Sequence, residues 1–214
     1  MFAGCNRGKE SIKIDLKTEA GQAVIRDMAS QVDVVIHNFR PGTMESLNLG
    51  CDALRTINPR LIYMAISGFG TEGPLRRAPA YDPIIQAHSG MAATQGGDDS
   101  PAFIRSLLCD KITAYTACQA VTSALFARER SGEGQLIDLS MLDSGLFFMF
   151  PDGFQNHALL DEDAIPGGML IDILYDLTLT KDGGITVAAA NQEMQGRMLK
   201  AIGLLHLLGD ERFS

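Results

Sequence analysis

The chain has 214 residues, of which 46% are hydrophobic and 21% charged, and its formal net charge is −8. These fractions are typical of a globular protein with a packed core rather than of a disordered chain. The negative charge argues against nucleic acid as a partner, because binding to phosphates rests largely on Lys and Arg. No apolar run approaches the ~20 residues that cross a bilayer, and no signal-peptide pattern predicts secretion. Four scattered cysteines without a C-x-x-C pair favour reduced thiols in a cytoplasmic protein over a disulfide framework or a zinc site.

The first part of the sequence alternates short β-branched runs with helical stretches. Residues 11–16 (SIKIDL) predict a strand by their period of two, and Thr18 predicts the cap of a helix that runs to about Ser30. Residues 32–37 (VDVVIH) are apolar on both faces and predict a buried parallel strand, and residues 61–67 (LIYMAIS) predict a third strand, with a short helix over 51–58 between them. This rhythm predicts an α/β fold with an open, mostly parallel, Rossmann-like sheet and right-handed crossovers.

The next elements extend this large domain, which we predict to cover residues 1–150. A loop over 68–80 and a helix over 83–93 precede a second loop over 96–101. The Ala-rich stretch 111–130 predicts the longest helix, and 135–140 and 141–150 predict a strand and a helix.

Beyond residue 150 the composition changes. Residues 151–168 predict a linker, because 161–168 (DEDAIPGG) are acidic and then turn-forming. Residues 169–214 predict the start of a smaller α+β domain, with strands over 170–180 and 185–190, a hairpin turn at 181–184, and a helix over 193–202.

Asp110 is the candidate catalytic residue. It stands just before the predicted long helix, where Asp is one of the best N-caps, so its position alone indicates a structural role. The same place favours an ionised carboxylate, because a helix N-terminus carries a positive partial charge and unpaired N–H groups. An ionised carboxylate that faces a pocket can act as a nucleophile, and the helix amides could stabilise an oxyanion.

Three separated motifs resemble one family, the class III CoA-transferases, or CaiB/BaiF family. They are residues 6–9 with 14–17 (NRGK and IDLK), residues 38–42 (NFRPG), and residues 109–114 with 124–138 (CDKITA and ALFARERSGEGQLID). This family includes formyl-CoA and carnitine CoA-transferases and α-methylacyl-CoA racemases.

The resemblance implies that Asp110 attacks an acyl-CoA thioester and forms an acyl-aspartyl anhydride, then an aspartyl-CoA thioester, before a free carboxylic acid takes over the CoA. This scheme needs no metal and no permanently bound cofactor, only CoA thioesters as substrates. An ordinary Asp pKa of about 3.9 supplies the ionised form.

By the same resemblance, CoA lies at the carboxyl ends of the strands, which is where open α/β sheets bind ligands. The implied CoA-binding residues are Ile14, Lys17, Asn38, Phe39, Arg40, Tyr81 and Asp82. Lys17 and Arg40 suit the CoA phosphates. Lys17 could equally be a solvated surface residue, and Asn38 could be a turn former before Pro41.

The choice between transferase and racemase depends on acid–base groups on both sides of the substrate α-carbon. Where the racemases have a His-Asp pair, this chain has Tyr81-Asp82, and Tyr is a poor base at neutral pH. A further glutamate of the racemases corresponds to about Gln192, although a shift of register would place Glu193 there. The transferase is therefore preferred, and the racemase or epimerase stays the alternative.

Members of the family are commonly longer than this chain and form interlocked homodimers. The resemblance therefore implies an incomplete chain and a homodimer, and it leaves open a catalytically inert fragment or subunit. The glycine-rich loop of some transferases is altered here, because 161–165 (DEDAI) precede 166–170 (PGGML).

Overall fold

The computed structural model describes residues 1–97, 99–154, 158–161, 177–189 and 191–210, with the backbone alone at 151–153. The chain divides into two compact units, Met1–Phe148 and Met149–Ser214. Its elements up to the third strand are α1 (Phe2–Cys5), α2 (Glu19–Ala29), β1 (Val34–His37), α3 (Thr43–Ser46), α4 (Cys51–Ile57), β2 (Ile62–Ser67), α5 (Asp82–His88), α6 (Met91–Gly96), α7 (Leu108–Ser131) and β3 (Leu136–Ser140). Helix α8 (Met141–Gly153) follows β3 directly.

The strands of the first unit form a parallel sheet in the order β1-β2-β3. Val34 pairs with Ile62 at one end, and Ser67 pairs with Ser140 at the other. The α/β class with a parallel sheet is thus confirmed. The first half of the central strand β2, Ile62–Met64, is buried and its second half is partly buried, whereas Ile36 of β1 is 57% exposed. The prediction that β1 is buried on both faces is wrong, because its side chains are only partly covered: Val34, Val35 and His37 are half-buried and Ile36 is exposed.

A hydrophobic core of the first unit lies between β2 and helices α2, α3 and α4. Its buried members are Ala29, Met44, Leu49, Leu54, Leu61 and Tyr63. The Tyr63 hydroxyl donates to the backbone oxygen of Leu49 at 3.1 Å, so this large aromatic residue is buried with its polar atom satisfied. Through Tyr63, the central strand β2 is therefore anchored in this core.

The predicted strand over 11–16 is not formed. Alternation of apolar and polar residues indicates an extended backbone, but a strand also needs a ladder of hydrogen bonds to a neighbour. Here Asp15 makes a local turn instead: its side chain accepts the N–H of Lys17 at 3.0 Å, and its backbone oxygen accepts the N–H and the hydroxyl of Thr18. Thr18 then caps α2 as predicted, since its side chain accepts the N–H of Gly21. A Cβ on Gly21 would lie 2.0 Å from the Asp15 oxygen, so this turn requires glycine there.

The predicted helix over 83–93 consists of two helices, α5 and α6. They are separated at Ser89-Gly90, where Gly90 has a left-handed φ of 83° that ends one helix and begins the next. The long helix α7 begins at Leu108 rather than at 111, and this earlier start changes the position of Asp110 in the helix.

The second unit contains a short antiparallel hairpin of β4 (Leu177–Leu179) and β5 (Gly184–Thr186), followed by α9 (Gln192–Ala201) and a 3₁₀ helix (Leu205–Gly209). The predicted hairpin turn and last helix are confirmed, and Asn191 caps α9 by accepting the N–H of Met194 at 2.9 Å. Residues 162–176, which include most of the altered loop, lie outside the described residues. The domain limits at 1–150, 151–168 and 169–214 stay predictions. Among the described helices, none has the length and apolarity to cross a membrane.

Candidate active site

An open cleft of about 540 Å³ lies at the carboxyl ends of the three parallel strands. Its walls are residues 38–41 after β1, residues 66–68 at the end of β2, residues 76 and 78–81 of the loop that follows, residues 110, 113 and 114 of α7, and Met141 after β3. Open α/β sheets bind ligands at this edge, where the loops after the strands converge. The cleft therefore lies where the topology predicts a ligand site, and it lies wholly within the first unit.

Asp110 lies in the first turn of α7, and it is exposed at the wall of the cleft. The sequence predicted Asp110 as the N-cap of this helix, but the cap residue is Leu107, whose side chain makes no capping hydrogen bond. The free N–H of Asp110 is satisfied by a distant side chain, because Asp82 Oδ2 accepts it at 3.1 Å. The Asp110 carboxylate is thus spared from capping and is presented to the cleft.

The surroundings of Asp110 raise the pKa of its carboxyl above the ordinary value. Partial burial is the larger cause, and the nearby charge of Asp82 is the second. The sequence had predicted an ordinary pKa. A raised pKa makes the ionised carboxylate more basic, which increases its intrinsic nucleophilicity while leaving it ionised at pH values above that pKa.

Three backbone amides at the start of α7 already have hydrogen-bond partners. The N–H of Leu108 donates to Ser106, that of Asp110 to Asp82, and that of Lys111 to the backbone oxygen of Leu107. These three amides are therefore not open to an oxyanion in this conformation, and the oxyanion role suggested for the helix N-terminus stays a prediction.

The turn after β1 brings Asn38, Phe39 and Arg40 into the cleft. Its geometry depends on His37, whose Nδ1 accepts the N–H of Phe39 at 3.3 Å and whose ring stacks on the Phe39 ring at 6.0 Å between centroids. Burial lowers the pKa of His37, with a smaller opposing effect from Glu45. The neutral imidazole is the form that can accept at Nδ1, and the lowered pKa of His37 favours that form.

Tyr81 and Asp82 are neighbours with different surroundings. Tyr81 is 71% exposed and lines the cleft, whereas Asp82 is 3% exposed and does not line it. The two adjacent residues at the start of α5 therefore play different structural parts, one in the wall of the cleft and one behind it.

Comparisons with known proteins identify the family of this chain. The family described as CoA-transferase family III matches residues 1–214. The chain belongs to this family. It is 37% identical to an acetyl-CoA:oxalate CoA-transferase of Acetobacter aceti, over 99% of this chain and 55% of that protein. It is 34% identical to a succinate–glutarate CoA-transferase of Agrobacterium fabrum, over 100% of this chain and 54% of that protein.

Among solved structures, the class III chain is similar to a CAIB/BAIF family protein from Brucella suis, with a TM-score of 0.78 and 33% identity over 98% of this chain and 56% of that one. The resemblance and fold class inferred from the motifs are thus confirmed. The chain spans about half the length of the curated relatives it matches, at 55% and 54% of the two named above.

In this class III chain the cleft brings together five of the predicted site residues, namely Asn38, Phe39, Arg40, Tyr81 and Asp110. It does not bring Ile14, Lys17 or Asp82 to its walls. Within the described ranges, no group of three His, Cys, Asp or Glu side chains is arranged to hold a metal ion.

Sequence reasoning missed Arg76, which lines the cleft from the loop after β2. The signal was present, since a loop rich in Gly, Pro and Arg directly follows a predicted parallel strand, and such loops form the ligand edge of these sheets. Gly68 lies at the start of this loop, where an added Cβ would come within 2.1 Å of the Ala80 Cβ. Glycine at this position lets the two ends of the loop approach closely in the wall of the cleft.

Proposed function

We propose that the protein to which this chain belongs is an acyl-CoA:carboxylate CoA-transferase and that Asp110 is its nucleophile. The observation that carries the proposal is the Asp110 carboxylate, which stands free of capping at the wall of a strand-end cleft that also holds Arg40 and Arg76. Membership of CoA-transferase family III supports the same chemistry.

In the proposed reaction, an oxygen of Asp110 attacks the thioester carbonyl of the donor and the C–S bond breaks, which gives an acyl-aspartyl anhydride and CoA thiolate. The thiolate attacks the Asp110 carbonyl carbon, releases the donor acid, and leaves an aspartyl-CoA thioester. The acceptor carboxylate then attacks that carbon and expels the thiolate, which takes the acceptor acyl group from the new anhydride. Asp110 returns to its starting form without a metal, redox group or permanently bound cofactor.

The proposed CoA site consists of Asn38, Phe39, Arg40 and Tyr81 from the walls of the cleft. A guanidinium binds phosphate oxygens through paired N–H donors, which makes Arg40 the proposed phosphate partner. Ile14 and Lys17 stay predictions for an outer part of the same ligand. Asp82 is better assigned to the support of Asp110 than to CoA, because it is buried behind the cleft.

Trapping tests the nucleophile. The protein is incubated with acetyl-CoA, the intermediates are treated with hydroxylamine or borohydride, and the peptide that contains Asp110 is examined by mass spectrometry. We expect a hydroxamate or a reduced side chain at Asp110, no label in Asp110→Asn, and full labelling in Asp138→Asn, which changes an exposed aspartate elsewhere. An Asp110→Asn variant that still transfers CoA to oxalate would refute the mechanism.

The same preparation distinguishes the alternatives. Exchange of an α-proton with deuterated water, without acyl transfer, would select the racemase or epimerase, for which Tyr81 is a poor base. Absence of CoA binding by calorimetry in a folded chain would select the inert fragment or subunit. The homodimer proposed from the resemblance is tested by light scattering.

A further inference from the structure

A buried polar network lies behind the wall of the cleft that carries Asp110. Its centre is Gln86 of α5, which is 1% exposed. The Gln86 Oε1 accepts the N–H of Ile104 at 2.9 Å, and since only the oxygen of an amide can accept, this bond fixes the orientation of the side chain. Its Nε2 consequently faces Asp82 Oδ1 at 2.5 Å and the backbone oxygens of Ile104 and Ser106 at 3.1 and 3.3 Å.

Asp82 joins this network to α7. One carboxylate oxygen accepts from Gln86, and the other accepts the N–H of Asp110 at 3.1 Å. This second bond takes the place of a local N-cap, because Leu107 supplies none. Both carboxylate oxygens of Asp82 are therefore used inside the protein, which agrees with its 3% exposure and its absence from the wall of the cleft.

We infer that Gln86 and Asp82 are positioning residues for Asp110, an assignment that rests on the proposed function of Asp110. Gln86 ties the segment Ile104–Ser106, which leads into α7, to helix α5, and it orients Asp82. Asp82 then fixes the first turn of α7 and with it the place of the nucleophile. Such support matters for catalysis because a displacement of about 1 Å can reduce a rate by about 100-fold.

The electrostatic effect of the network acts in the same place. After burial, the charge of Asp82 is the second cause of the raised pKa of Asp110, and within the described residues Asp82 is the carboxylate with this effect. The other titratable groups beside Asp110 lie in the cleft or on α7 itself: Arg40, Arg76, Tyr81, Cys109 and Lys111. Of these, Lys111 donates from Nζ to the hydroxyl of Ser106 at 2.7 Å, and Ser106 belongs to the segment that Gln86 holds.

Asp82→Asn separates positioning from general stability, because it keeps the shape of the side chain and removes its charge. The amide must also place an NH₂ group against either Gln86 Nε2 or the Asp110 N–H, so one bond of the network is lost in either orientation. The matched control is Asp33→Asn, which makes the same chemical change at the other end of α7, where Asp33 pairs with Arg128 at 2.8 Å.

Two measurements are made on the full chain. The first is an NMR titration of carboxyl-labelled aspartates, with the Asp110 signal assigned by its loss in Asp110→Asn, and this readout needs no activity. The second is the rate of the trapped adduct at Asp110. We expect Asp82→Asn to move the Asp110 midpoint to lower pH and to slow adduct formation by about 10- to 100-fold, while Asp33→Asn changes neither.

Gln86→Met keeps the volume of the side chain and the charge of Asp82, and it carries the test if Asp82→Asn does not fold. We expect this variant to slow adduct formation, while the Asp110 carboxyl signal still changes with pH in the NMR titration. Wild-type rates in both variants, or an unchanged midpoint in a folded Asp82→Asn, would overturn the inference. If the wild type forms no adduct, the proposed function fails, and the NMR midpoint still decides whether Asp82 acts on Asp110.

Discussion

Gly134, at the junction of α7 and β3, should be intolerant of any side chain. A Cβ built there would lie 2.1 Å from the backbone oxygen of Leu61, which cannot move without disturbing β2. Two hydrogen bonds hold Gly134 in this place: its N–H donates to the Pro59 oxygen and its own oxygen accepts from Arg55 Nη2, both at 2.8 Å. The Gly134→Ala variant must push this junction away from β2, with loss of both bonds.

The expected loss of unfolding free energy is about 4 kcal/mol. About 2 kcal/mol comes from two hydrogen bonds at roughly 1 kcal/mol each, and about 2 kcal/mol comes from the strain of an overpacked site. The control is Gly132→Ala, two residues earlier. Gly132 has φ of 79° and nothing within 4 Å of an added Cβ, so the substitution meets only backbone strain of about 1–2 kcal/mol.

Urea unfolding of both variants, followed by far-UV circular dichroism, measures the difference. This signal is dominated by helices, and α7 alone supplies 24 helical residues. The reasoning is refuted if Gly134→Ala is no more destabilising than Gly132→Ala, since the open space at 132 and the close contact at 134 are what distinguish the two sites.

Three further predictions concern the cleft and its thiol neighbour. Asp110→Asn should raise the unfolding free energy at pH 7. Burial and a like charge raise the folded-state pKa of the Asp110 carboxyl, so its ionised form opposes folding above that pKa, and the stability gained by the variant should vanish below the unfolded-state pKa of about 3.9. Equal gains in urea experiments at pH 7 and pH 3 would contradict this sign. Cys109 should resist iodoacetamide at pH 8 while Cys118 reacts, because burial leaves Cys109 0% exposed and raises its pKa to about 12. Mass spectrometry of native and urea-unfolded protein measures the alkylation of each cysteine. Arg40→Ala should weaken CoA binding by about tenfold or more in calorimetry, since a charge-assisted hydrogen bond is worth about 1.5–3 kcal/mol. A comparable loss of affinity in Lys17→Ala, with none in Arg40→Ala, would mean that the CoA phosphates bind outside the cleft.

The elements that the sequence predicted well are those whose pattern is complete within a short stretch. Strand β2 follows from an uninterrupted apolar run, α2 from the Thr18 cap, and the hairpin of the second unit from its Asp-Gly-Gly turn. In each case the residues that decide the structure are neighbours in the chain, so local propensity and tertiary structure agree.

The parts that were missed depend on partners far away in the sequence. The start of α7 was placed too late because its cap comes from Asp82, 28 residues before the N–H that it accepts. The strand over 11–16 was wrong because an alternating pattern does not supply a neighbouring strand. The resemblance implied a CoA-binding role for both Tyr81 and Asp82, and that role stays a prediction. The sequence could not show that Tyr81 is 71% exposed and Asp82 3% exposed, because a helix start turns neighbouring side chains in different directions.

Helix α7 has a consequence for how the protein can diverge. At about 1.5 Å per residue its 24 residues span about 36 Å, and polar contacts from Asp82 and Asp33 hold its two ends. Between them, Tyr115 and Phe126 are 73% and 60% exposed in the described chain. Substitution of these two outward side chains should therefore leave the contacts at both helix ends in place, and with them the position of the Asp110 carboxylate relative to the sheet.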